Sequence, residues 1–523
     1  MIVTTARAGS HRHAWDLFVG GGHAARADDP AALAVKGRLL KDRAIGLPAS
    51  EQPAAFAEAA AAYAGADALA PQAWTRINCA TLTLLAGDVP RAQAEARELL
   101  AWLAGADDIA ETPYYLAATR AEAHLLLGDV AAAERALAEA VAANPEGWED
   151  QASTLRQFAL IATQGGFDTA WLDAYRPPRA LHYAGHLGVA AQGSEALGRQ
   201  VAELIAQEHV GAGFGALAAG ADIVIAETLL AHGAELNVIL PDSLDNFIAQ
   251  SVAPFGEEWL PRFDACLEAA ATVRCLTQLG GGFQPLGSQL AASVAMGAAM
   301  LHARRFETRA VQVIIIDEGA GPFGNGRESA RSARTWQGAG LASHVLRWPR
   351  NASVLASGAR TEPEGRADLR LAALLHVGFD GMDALDDAGF ARAVDTVLAP
   401  LRGALRDLAV QPDRVLPAGN GRIAAFSDPQ AAWAWARALL ALPPGPMPLR
   451  LAGHYGIAHW LEEPPALVGR ALAELEQIAR VAMPGVLTVS ETFADALQLV
   501  TAAPPHVEQI GEIGTMALFA VSA

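Results

Sequence analysis

From about Pro30 to Gln164, apolar residues recur at helical spacing in Ala-rich amphipathic stretches separated by short Gly-Asp turns. Two of these turns match each other: LTLLAGDVPRAQAEA ending at Ala96, and HLLLGDVAAAERALAEA ending at Ala140. Each reads as an apolar helix, a Gly-Asp break, then a helix whose small residues let a neighbour approach. This pattern predicts stacked helical hairpins of tetratricopeptide-like (TPR-like) kind, with a plain helical bundle as the alternative. The Gly-, Pro- and aromatic-rich stretch GGFDTAWLDAYRPPRA then breaks the pattern.

After Pro178 the periodicity shortens. ALHYAGH, AELNVILP, TVRCLTQ, VQVIIIDEG and ASHVLRWP read as buried strands. Between them SEALGRQVAELIAQEHV reads as a helix, and GAGFGALAAGADIVIAETLLAHG as a glycine-rich turn entering a helix. Buried strands alternating with helices predict an α/β parallel sheet covered on both faces. A polar stretch from Pro349 to Asp368 separates a last α+β region. There LRLAALLHVGF reads as a strand, followed by a long helix through Arg406, and DRVLPAGNGRIAAFS as a hairpin. A Trp/Ala helix, LRLAGHYGIAHW, a helix after Gly469, GVLTVS and TMALFAVS complete it. The expected organisation is multidomain: an all-α region over 1–165, a Rossmannoid α/β domain over 179–350 and an α+β domain over 369–523.

Composition narrows the function classes. The chain has 523 residues, 52% hydrophobic and 18% charged, with a formal net charge of −19. So acidic a chain repels phosphate backbones, so no nucleic-acid partner is expected. Lys36 and Lys41 are the only lysines. The longest apolar stretch, near Ile223 to Leu240, is broken by Glu227, His232, Glu235 and Asn237, so no membrane span is expected. The opening MIVTTARAGSHRHAW has no apolar h-region and indicates no signal peptide. The three cysteines, Cys79, Cys266 and Cys275, form neither a CxxC nor a metal-ligand pattern. A cytoplasmic protein without a metal site is the expectation.

Ligands of a parallel sheet sit outside the carboxyl ends of its strands. Three glycine-bearing segments fall at such ends. The first is Gly185-His186. The second runs through Gly213 and Gly215 to Asp222, with Glu227 one turn on. The third, Asp317 to Arg327, contains Gly319, Gly324 and Gly326. Together they predict a nucleotide-type pocket, since glycines let the backbone approach a phosphate or ribose. Each also has a plainer reading: a tight βα turn for the glycines, a helix-start residue for Asp222, a satisfied structural histidine for His186.

The segment GAGFGALAAGADIVIAETLLAHGAELNVILP resembles the SLOG superfamily, which includes the DNA-processing protein DprA and the cytokinin-activating LOG enzymes. PFGNGR (Pro322 to Arg327) is similar to the LOG signature PGGxGT, with Phe323 for a glycine and Arg327 for the threonine. Ser329 and Ala330 stand where the catalytic Glu of that signature falls, and Glu328 comes too early. The resemblance implies sensing of a nucleotide-derived ligand, with N-glycosidic hydrolysis of a nucleotide as the alternative. The helical segments DPAALAVKGRLLKDRAIG, AWTRINCATLTLLAGD and AATRAEAHLLLGD resemble the TRAF-binding central region of mitogen-activated protein kinase kinase kinases, which implies a protein partner.

In the last region LLHVGFDGMDAL, AGNGRIAAF, LAGHYG, VGRALAELEQIA and MPGVLTVSETFA occur in the order of the class III adenylate/guanylate cyclase domain, which they resemble. That chemistry uses two carboxylates on two Mg²⁺ ions, an Asn, an Arg and a base-selecting pair. Carried onto this chain, the metal positions are Gly378 and Asn420, the Asn and Arg positions Ala473 and Gln477, and the base-selecting positions Ala466 and Leu416. The resemblance therefore implies a cyclase frame without cyclase residues, a pseudoenzyme serving dimerisation or regulation. The alternative is an active cyclase with ligands displaced to His376, Asp380 and Asp383. In a third reading the SLOG-like cleft is empty and the protein purely structural.

Overall fold

The computed structural model describes residues 2–105, 109–280, 282–317, 327–351, 368–419, 421–442, 447–499 and 505–522, without the side chains at 327, 328, 383, 400 and 404. The chain divides into two compact units, Met1–Pro177 with Arg305–Glu307, and Pro178–Arg304 with Thr308–Ala523.

The first unit is helical. Its described residues form α1 (Ile2–Arg7), α2 (His11–Gly20), α3 (Pro30–Ile45), α4 (Gln52–Leu69), α5 (Ala73–Leu85), α6 (Val89–Gly105), α7 (Pro113–Leu126), α8 (Val130–Ala143) and α9 (Trp148–Gly165). The two matching Gly-Asp turns fold identically. Gly87 and Gly128 take φ of +92° and +80°, a region open to glycine. Asp88 N and Asp129 N each donate to a carbonyl five residues back, Thr83 O and His124 O. Each aspartate then accepts a hydrogen bond from the following helix, at Arg91 N and Ala132 N. Stacked hairpins α5–α6 and α7–α8 result, packed through alanines such as Ala80, Ala92, Ala96, Ala121 and Ala133.

A buried polar chain crosses this unit. Lys41 Nζ on α3 donates to Gln157 Oε1 on α9, Gln157 Nε2 donates to Glu122 Oε1 on α7, and Thr81 Oγ1 on α5 donates to the same oxygen. Burial lowers the Lys41 pKa and raises that of Glu122.

The second unit holds two sheets. The first comprises β1 (Arg179–Ala184), β2 (Val210–Gly215), β3 (Glu235–Leu240), β4 (Thr272–Cys275), β5 (Ala310–Asp317) and β6 (Ala342–Trp348). All its pairs are parallel, in the order β4-β3-β2-β1-β5-β6. Helices α10 (Ser194–Gln207), α11 (Ala221–Ala231), α12 (Leu244–Ser251), α13 (Trp259–Ala269), α14 (Pro285–Arg305) and α15 (Arg327–Gly338) connect the strands. One expectation is corrected here: VGAGFG is a strand, not a turn. Glycine there serves packing. A Cβ on Gly213 would lie 2.2 Å from Leu229 Cδ1 of α11, and one on Gly215 would lie 2.6 Å from the Tyr183 ring.

The second sheet has eight strands: β7 (Leu369–Phe379), β8 (Arg414–Ala418), β9 (Gly421–Phe426), β10 (Leu449–Leu461), β11 (Ala466–Val468), β12 (Leu487–Ser490), β13 (His506–Ile513) and β14 (Met516–Ser522). Its main path runs β13-β14-β12-β10-β7-β9-β8, with β11 on β10. The expected long helix through Arg406 is interrupted. α16 (Asp387–Ala393) passes through a π turn (Val394–Leu398) into α17 (Ala399–Arg406), where Pro400 has no N–H to donate. α18 (Pro429–Leu440), α19 (Arg470–Val481) and α20 (Glu491–Gln498) complete the region.

One continuous core joins the two sheets. Leu290, Val294 and Met300 of α14 share it with Leu375, Trp433 and Phe493 of the second sheet and its helices. The backbones touch at Gly297, where an added Cβ would lie 1.9 Å from the Asp495 carbonyl oxygen on α20. Arg274, at the end of β4, pairs with Asp495 (2.9 Å) and Glu491 (3.1 Å), and Arg304 pairs with Gln498. Asp495 is buried, and burial pushes its pKa up to about 7 against the pull of Arg274.

Candidate functional site

The strand order reverses direction at β1, so α10 and α15 leave its two sides and a crevice opens at the carboxyl ends. A cavity of about 170 Å³ lies there. Gly185, Gly215 and Asp222 line it, with Pro241 at the end of β3, Ala291 of α14 and Ser332 of α15.

Asp222 is engaged by backbone. It is buried, and its carboxylate accepts hydrogen bonds from Gly185 N (2.9 Å) and Ala218 N (3.3 Å), tying the end of β1 to the start of α11. Gly185 permits that approach, since a Cβ there would lie 2.3 Å from Ala221 Cβ. His186 lies outside the lining; its Nε2 meets the Trp348 carbonyl at 3.1 Å and bridges the ends of β1 and β6. Burial, aided by the Arg350 guanidinium, lowers its pKa to about 4, so the ring is neutral and Nε2 is the donor.

Of the other described candidates, Glu227, Gly213 and Asp317 do not line this cavity. Glu227 turns away to α13, where Arg262 grips it with two N–H groups at 2.7 and 2.5 Å while stacking on Trp259. Gly213 lies under Leu229. Asp317 pairs with Arg350 at 3.5 Å. Gly319, Gly324, Gly326 and the Arg327 side chain lie outside the described residues. Sequence reading missed α14, which walls the cavity with small residues, and missed His182, a buried polar residue on β1. The Ala/Ser/Gly spacing of 288–298 behind Pro285 was the available signal for α14.

In the second sheet Gly378, the first metal position carried over from the cyclase resemblance, lies at the end of β7. Ala372 and Leu374 of β7 face Leu475 and Ile478 of α19, and period two puts His376 and Gly378 on the same face. Gly421 opens β9, and a Cβ added there would lie 2.3 Å from the Val377 carbonyl oxygen of β7, whose register partner is Arg422. The His376 imidazole lies over both glycines: a Cβ on Gly378 or on Gly421 would come within 3.1 Å of its Cε1. Burial lowers the His376 pKa, with Glu476 pulling the other way.

Ala473 and Gln477 occupy the exposed side of α19, Leu416 lies on β8 and Ala466 on β11. Asp380 is held by Arg450 Nη2 at 2.5 Å. Asn420 and the Asp383 side chain lie outside the described residues. A buried chain fixes α19 in place: Glu474 Oε2 meets His454 Nε2 (3.1 Å), and His454 Nδ1 meets Ser490 Oγ (2.9 Å).

Comparison with known proteins gives structural matches. The guanylyl cyclase domain of the RhoGC fusion protein from the aquatic fungus Blastocladiella emersonii is 8% identical, covering 29% of this chain and 94% of its own, at a TM-score of 0.24. An adenylate/guanylate cyclase/hydrolase from Silicibacter pomeroyi is 17% identical over 30% of this chain and 99% of its own, at 0.24. The adenylyl cyclase CyaB from P. aeruginosa is 11% identical over 30% and 95%, at 0.24. No family model and no curated protein matches the chain. No described helix is long and apolar enough to cross a membrane.

Proposed function

We propose that this protein is a non-enzymatic signalling or scaffold protein. In this reading the first sheet senses a nucleotide-derived ligand, and the second is a cyclase frame that has exchanged catalysis for regulation or dimerisation. The observation that carries the reading is the His376 ring lying over Gly378 and Gly421. The first metal position of the resemblance is a glycine, and a side chain added there would meet the His376 imidazole at 3.1 Å. Losing one transition-state contact costs several kcal/mol, and here the Asn and Arg positions are Ala473 and Gln477 as well. The ion pair of Asp380 with Arg450 speaks against that carboxylate as a displaced metal ligand.

Helix α14 supports a regulatory role for the frame. Ala291 and Ala295 line the ligand cavity, and Gly297, half a turn further, packs on Asp495 of the second sheet's α20. The tetratricopeptide-like hairpins of the first unit offer a protein-binding surface.

Incubating the full-length protein with ATP or GTP and Mg²⁺ or Mn²⁺ tests the reading. We expect no cAMP or cGMP above a protein-free control. Cyclic product at turnover rates would replace it with an active cyclase.

A further inference from the structure

A hydrogen-bond relay runs across the first sheet into the cavity. Ser343 Oγ on β6 donates to Gln312 Oε1 on β5 (3.0 Å), and Gln312 Nε2 donates to His182 Nδ1 on β1 (3.1 Å). With Nδ1 accepting, the imidazole proton sits on Nε2. Burial lowers the His182 pKa to about 3, so the ring stays neutral at every physiological pH.

His182 is 1% exposed, lines the cavity and stacks on Trp336 at 5.7 Å. Its Nε2 has no hydrogen-bond partner among the described residues, and neither has the hydroxyl of Ser332, which is 2% exposed. The relay therefore leaves an N–H available to an occupant of the cavity that His182 lines.

The lining fixes the chemistry of that occupant. Asp222 is the one charged residue among the described lining residues, and its carboxylate accepts from two backbone amides. A buried phosphate would meet no cation among the described lining residues, at a heavy desolvation cost. Alanines 291, 292 and 295 of α14 line the cavity together with the rings of Phe247 and Phe283. A dry cavity of ~150 Å³ holds a benzene ring, so a cavity of about 170 Å³ suits a small flat ring.

We infer that this cavity takes the uncharged nitrogen heterocycle of its ligand, a nucleobase or similar ring, with a ring nitrogen or carbonyl oxygen accepting from His182 Nε2–H. The inference rests on the nucleotide-sensing reading and names its ring subsite; the sugar and phosphates lie outside it.

Calorimetric titration of the full chain with adenine, guanine, hypoxanthine, uracil, AMP, GMP and inorganic pyrophosphate tests it. At least one free base should bind, with an affinity flat from pH 5.5 to 8. His182→Phe, which keeps an aromatic ring and loses the donor, should weaken that base by about tenfold or more. His182→Gln should retain part of the affinity. Should the variants fold poorly, the His182 Nε2–H resonance of ¹⁵N-histidine-labelled protein should shift on adding the base. Equal binding by wild type and a folded His182→Phe, or an unmoved resonance with base bound, overturns the role of His182. AMP, GMP or pyrophosphate binding without any base overturns the ring subsite and leaves the sensing reading standing. No binding by any probe overturns both.

Discussion

Gly297→Ala is a sharp perturbation of the joint between the two sheets. Alanine is the better helix former by about 0.8–1 kcal/mol, so an unobstructed helical glycine gains from the change. Gly198 in α10 is such a position: an added Cβ would meet Thr228 Oγ1 at 3.7 Å, an ordinary contact. At Gly297 the same atom would lie 1.9 Å from the Asp495 carbonyl oxygen and 2.4 Å from its carbon. The obstacle is backbone, which no rotamer change removes, so α14 and α20 must separate. Overpacking costs typically 1–3 kcal/mol, occasionally more, and separation also loosens the buried Arg274–Asp495 pair. We expect Gly297→Ala to destabilise by about 3 kcal/mol and Gly198→Ala to stabilise by up to about 1 kcal/mol. Urea denaturation of the full chain, followed by tryptophan fluorescence, reads both. A Gly297→Ala protein as stable as wild type would refute the close packing of α14 on α20.

Three further outcomes follow from buried groups. Asp495, with a folded pKa of about 7 against an unfolded value near ~3.9, keeps a proton that the unfolded chain has lost. Stability should therefore fall as pH rises from about 4 to about 7, by up to ~1.4 kcal/mol per pH unit; Asp495→Asn should remove this component, and an unchanged urea-midpoint slope would contradict it. Asp222→Ala should orphan the amides of Gly185 and Ala218, at about 1–3 kcal/mol each, with Asp222→Asn milder; a thermal melt of Asp222→Ala matching wild type would exclude that tie. Lys41→Met leaves buried Glu122 without its cation, which should cost about 3–5 kcal/mol; adding Glu122→Gln should recover part of the loss, and strictly additive effects in urea would show the two groups uncoupled.

The Gly-Asp turns were legible because a left-handed glycine and a capping aspartate are local chemistry. So was the alternation of apolar strands with helices, since β1, β3 and β5 are buried along most of their length; β4 and β6, which also read as buried, are edge strands that stay largely exposed. VGAGFG misled because glycine carries no strand preference; its extended form is imposed by Leu229 and Tyr183, far along the chain. Glu227 looked like a pocket residue from its helical spacing to Asp222, yet Arg262, thirty-five residues on, draws it to the other side. The His182–Gln312–Ser343 relay joins three strands that become neighbours only in the sheet. No local pattern marks such a relay, and the same holds for Arg274 and Asp495, which lie 221 positions apart.

Manganese binding goes most directly to whether the second sheet has lost its reaction. Full-length protein titrated with Mn²⁺ in the presence of a non-cyclisable ATP analogue, followed by electron paramagnetic resonance, should leave the signal that of the analogue-bound ion alone. Two protein-held Mn²⁺ ions per chain, lost on replacing Asp380 with alanine, would contradict a frame that carries Gly378 and Asn420 at its metal positions.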